Sequence, residues 1–115
     1  MLGYYYKLRD LLRLRRAVKM ADEAHESTGE RYYVMPTTDG KMIITDRYNF
    51  RIMKKKGYIS LEAKVMDLVK ECFYCTPYRN GKEELPPDVV ALKRRQYLSW
   101  ARACRDIKRR ERARK

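Results

Sequence analysis

Acidic residues are scarce in this chain. It holds 15 Asp and Glu against 28 Lys and Arg, a formal net charge of +13. A surface of that sign calls for neutralisation, and polyanions are the usual partners. Long apolar runs are also missing. None approaches the ~20 residues a membrane span needs, and the N-terminus alternates Leu with Arg where a secretory signal would carry an unbroken apolar core. Glycine stands at position 3, not 2, so the myristoylation pattern is absent. Cysteines number three, an odd count that argues against a disulfide framework and for a reducing compartment, the cytoplasm of a bacterial-type cell or an equivalent interior. There is one histidine. No GxSxG, P-loop or HExxH pattern is present. No catalytic residue, no cofactor and no membrane association are therefore expected.

What is present reads as one small folded domain. Hydrophobic residues make up 44% of the chain and charged residues 37%, which describes a globular core under an unusually charged surface. Residues 4–26 have helical periodicity, with Tyr4, Leu8, Leu11, Val18 and Ala21 near one stripe, reinforced by Leu14 and Ala17. Arg9, Arg13 and Arg16 recur at i, i+4 and i+7 on the polar face. Ser27-Thr28-Gly29 is the stop signal. Residues 31–36 and 41–45 read as two short strands. Asp39-Gly40 between them is a hairpin signal of the type I′ kind, with Pro36 at a strand end.

Asp46 suits the N-cap of a short helix over 47–56, ended by Gly57. Ser60 suits the cap of another over 61–73, with Leu61, Val65, Leu68 and Cys72 as its core stripe. Residues 75–87 read as a loop. Pro87 then opens a last helix, from about Asp88 to about Arg110, with Val90, Tyr97, Trp100, Cys104 and Ile107 inward. The expected fold is mostly helical α+β, in the order α-β-β-α-α-α. One hairpin packs on helices in a single domain of residues 1–110, followed by a basic frayed tail over 111–115.

The last helix concentrates the charge. From Asp88 to Lys115 there are 11 Lys and Arg against three Asp and Glu. Arg95, Arg102 and Arg109 repeat every seven residues, with Arg94 and Arg105 beside them. Spaced arginines bridge successive phosphates, and their planar fork gives bidentate contacts that lysine does not. A solvated helix face is the plain alternative. Lys54, Lys55 and Lys56 with Tyr58 form a second basic region, read either as phosphate ligands with a stacking ring or as a dipole-matched helix end. These residues are the candidate nucleic-acid contacts, with DNA and RNA both open.

Ten tyrosines are open to three readings: ordinary half-buried packing, a protein interface or homo-oligomer surface, and base stacking. Tyr4, Tyr5 and Tyr6 do not fit one core face, so at least one is exposed or meets a partner. Tyr32 and Tyr33 should point to opposite faces of the hairpin, without the RNP signature of base-stacking sheets. Cys72 and Cys75 form a CxxC. With Cys104 and His25 they are one conceivable zinc set, weighed against buried free thiols; a second CxxC is lacking.

Residues 31–81 carry a strand–Asp-Gly–strand–DRxNF run, completed by Asp46, Arg47, Asn49 and Phe50, and a CFYxTPY segment from Cys72 to Tyr78. In these features the chain resembles small uncharacterised proteins of gut bacteria and their phages or mobile elements. The resemblance implies a phage or mobile-element accessory protein and carries over no functional residue.

Overall fold

The computed structural model describes residues 2–37, 40–57, 64, 67–78 and 80–114. Helix α1 runs Leu2–Thr28, strands β1 and β2 are Tyr33–Pro36 and Met42–Thr45, and helices α2 and α3 are Arg47–Lys55 and Asp67–Glu71. Strand β3 is Tyr74–Cys75, and helix α4 spans Pro87–Arg114. The architecture is mostly helical α+β with a long C-terminal helix.

The sheet has three antiparallel strands in the order β2-β1-β3. The loop reading of residue 75 onward is corrected here, because Tyr74 and Cys75 pair with Val34 and Tyr33. A two-residue strand has no periodicity of its own. It exists only because β1 offers a free edge. The third helix ends at Glu71, two residues before the expected Phe73, since Phe73 N–H turns to donate to the Val34 carbonyl at 2.8 Å. The expected cap Ser60 and stripe residues Leu61 and Val65 lie outside the described residues.

Alternation along β1 distributes the core. Tyr33 faces α2 and α3, where it packs with Phe50, Leu68, Cys72 and Cys75. Val34 faces α1, where it meets Ala17 and Ala21. Both faces of the sheet are therefore covered. Burying Leu68 and Phe50 contributes about 2 kcal/mol each. Helix α4 lies beside β3 and joins α1 through Leu14, Phe73, Tyr97 and Ala101.

Local signals hold where they are local. Asp46 caps α2, its carboxylate accepting from Asn49 N–H at 2.8 Å. Pro87 is the first residue of α4. The hairpin closes on Thr37 N–H donating to the Lys41 carbonyl. Asp39 of the expected Asp-Gly turn lies outside the described residues, and Gly40 takes the positive φ, +83°, that such a turn asks of its glycine.

Two helix faces differ from expectation. Tyr4 is 70% exposed and Leu8 and Leu12 are also exposed, while Leu14, Ala17 and Ala21 are buried. The face of α1 is chosen by the sheet, which admits small side chains closely, not by the apolar count of its first turns. Ile107 is exposed because residues 107–114 of α4 are solvated all round. The helix nevertheless continues to Arg114 through residues expected to fray. Ala, Arg and Glu are strong helix formers.

Candidate nucleic-acid interface

Helices α1 and α4 cross at Asp10. Tyr97 Oη donates to the Asp10 carbonyl at 2.8 Å, and Arg105 Nη1 donates to the Asp10 carboxylate. Asp10 is buried and Arg105 about three-quarters so. Burial and the nearby Asp10 charge push the Tyr97 phenol up to about 12. A second charged anchor stands further along α4. Lys93 is buried, and its Nζ donates to the carbonyls of Val69 and Cys72 at 2.7 and 2.9 Å, closing the C-terminus of α3.

Beyond the crossing the two helices diverge around a groove of about 910 Å³, closed on one side by Gly40, Lys41 and Met42 of the hairpin. Buried Ala17 and Ala101 lie at its floor with Trp100 and Tyr97. Alanines are too short to fill the space between diverging helices, which leaves it open. The lining holds eight cationic side chains: Arg9, Arg13 and Arg16 from α1, Lys41, and Arg105, Lys108, Arg109 and Arg112 from α4. Asp10 is the one carboxylate among the described lining residues, and Arg105 already neutralises it.

Some of these cations are held in place. The guanidiniums of Arg9 and Arg105 lie 4.9 and 5.0 Å from the centroid of the Tyr6 ring, so Tyr6 ties the two helices' charges together. Arg9 Nε is buried, and no described group accepts its hydrogen bond.

Of the residues singled out from sequence, Arg105 and Arg109 line the groove. Arg94, Arg95 and Arg102 are exposed on α4 outside it. Lys54, Lys55 and Lys56 end α2, which packs on the opposite face of the sheet from α1. Tyr58 lies outside the described residues. Arg9, Arg13, Arg16, Lys41, Lys108 and Arg112 were not among the candidates. The arginine row of α1 was visible, but the crossing that brings it opposite α4 was not.

The cysteines divide. Cys72 and Cys75 are buried together against Tyr33 and Phe50. Cys104 borders the groove, and His25 Nδ1 donates to the Glu30 carbonyl at the end of α1. Among the described residues no three His, Cys, Asp or Glu gather as a metal set. The Cys75 thiol is lowered to about 6 by its hydrogen bond with Cys72 and by the Arg31 guanidinium, whose Nη2 donates to Cys75 Sγ at 3.1 Å. Cys72 is pushed up in turn and keeps its proton. Among the described residues, no helix is long and apolar enough to cross a membrane. No family model, curated protein or solved structure matches the chain.

Proposed function

We propose that the protein is a non-catalytic nucleic-acid-binding accessory protein that holds the phosphate backbone in the groove between α1 and α4. One observation carries the reading: eight cations line one recess whose single described carboxylate is already paired. Structural ion pairing does not account for such an excess, and the potential it creates attracts polyanions. The resemblance of residues 31–81 supports a phage or mobile-element setting, and the odd count of three cysteines supports a reducing, cytoplasmic one.

The test is retention of a pooled set of labelled duplex DNA, single-stranded DNA and RNA across a salt series. Retention should fall linearly on a log–log plot. Replacing Arg13, Arg16, Arg109 and Arg112 with Gln should abolish it at moderate salt. If the wild-type protein retains none of the pool at low salt, the proposal is lost.

A second reading has its own observation. Tyr4, Leu8 and Leu12 are exposed at i, i+4 and i+8 on α1, with Tyr5 beside them. An apolar stripe of this kind suits a structural or interaction protein, a phage component or an oligomer subunit. Solution mass at high salt separates the two: a defined closed oligomer favours the second reading and a monomer disfavours it.

A further inference from the structure

The recess has a shape as well as a charge. Two cation rows face it with the same spacing: Arg9, Arg13 and Arg16 on α1, and Arg105, Arg109 and Arg112 on α4. At a rise of about 1.5 Å per residue each row spans about 10 Å. Between them lies concave space, floored by alanines and by the half-buried Trp100 ring. A duplex is a stiff rod that proteins read by inserting a convex element, a helix or a ribbon, into its major groove. A recess of about 910 Å³ is within the size of a small-ligand site. It does not enclose a rod, but it admits a bent, flexible strand with phosphates against both rows and a base on the floor. Cationic walls with an aromatic surface are the combination used for single strands.

We infer that the groove takes single-stranded nucleic acid, entering between the two arginine rows with a base against Trp100. This rests on the nucleic-acid reading above and names its ligand class. The convex, exposed face of α4 with Arg94, Arg95 and Arg102 is the competing surface, and it suits a duplex.

The experiment uses the full chain and labelled probes of about 15 nucleotides, the upper range of known single-strand site sizes. Single-stranded DNA, single-stranded RNA and the matching DNA duplex are compared by anisotropy at equal salt. Trp100 is the only tryptophan, so its emission reports directly on groove occupancy. Single strands should bind about tenfold or more tighter than duplex, the worth of one stacked base, and should quench Trp100. Arg13→Gln with Arg109→Gln should lose most of that affinity, and Arg94→Gln with Arg95→Gln should lose little. All four arginines are outside the buried core, and circular dichroism checks that both variants are folded. A preference for RNA over DNA assigns a 2′-hydroxyl contact; equal affinity assigns backbone and stacking alone. Either result supports the inference. Duplex binding as tight as single-strand binding, or loss confined to the Arg94/Arg95 variant, overturns it while leaving nucleic-acid binding intact. Failure of every probe at low salt removes the parent reading as well.

Discussion

Arg105 of α4 reaches across to the buried carboxylate of Asp10 on α1, and that ion pair does two things at once. It fixes the helix crossing, and it cancels the one described acid in an otherwise cationic groove. Removing one partner of a buried pair leaves an uncompensated charge. Arg105→Ala, which strands the buried Asp10 carboxylate, should therefore destabilise the fold by about 3 kcal/mol, read as a shift of the urea midpoint. Arg109→Ala, which breaks no described pair, should change it by less than about 0.5 kcal/mol. Equal effects of the two substitutions would contradict this account.

The buried thiols give the fold a pH profile. Cys75 sits at about 6 in the folded chain against the ordinary 9.0 of a thiol. A depressed value means the thiolate favours the fold. Its contribution is complete above about pH 9 and is lost as pH falls through 6. Cys72 and Tyr97 are shifted upward, so their contributions are complete below their ordinary values and are lost as pH rises beyond them. Stability should rise from pH 6 to about 9 and fall above that. Cys75→Ser, which keeps a polar neighbour for Arg31 but does not ionise there, should flatten the rising limb. Urea midpoints at three pH values decide it; a flat wild-type profile between 6 and 9 would sink the idea.

Gly40 allows a cleaner measurement of backbone cost. Its φ is +83°, and a β-carbon added there would meet Cys104 and Lys108 at 3.7–3.9 Å, ordinary contact distances. Space is therefore not the obstacle. Gly40→Ala should cost about 1–2 kcal/mol from the left-handed conformation alone. Because the hairpin tip borders the groove, that variant should also bind single strands less well. A neutral Gly40→Ala would mean the loop changes conformation freely.

Legibility in the sequence followed the range of the interactions. The α2 cap at Asp46 and the α4 start at Pro87 depend on neighbours within one turn, and they were readable. Strand β3 depends on β1, some forty residues away in the chain, and it was not. The inward face of α1 is not legible from its first turns, because the ring-bearing Tyr4 and the apolar Leu8 are exposed, while Asp10 is polar yet buried; its partners Arg105 and Tyr97, on a distant helix, explain Asp10. The groove shares this limit. Each arginine row is a pattern on one helix, and nothing within 20 residues of Arg13 says that Arg109 will face the same space. Basic character was legible, and the recess was not, because it is a property of how two helices cross.

The same helix carries lysines in opposite settings. Lys93 is buried on the carbonyls that end α3, whereas Lys108 is exposed and lines the groove. Both count equally in the net charge. Lys93→Met leaves those carbonyls without a donor and should destabilise the fold by about 1–3 kcal/mol. Arginine should not restore it, since its planar fork does not reproduce a compact ammonium converging on several carbonyls. Lys108→Met should leave stability nearly unchanged and reduce the log–log salt slope for a single strand by about 0.7, the share of one phosphate contact. Lys93→Met, measured below its unfolding transition, should leave that slope as it is. If both substitutions lowered the slope equally, the charge of α4 would act as a diffuse field, and the assignment of binding to the groove would fail.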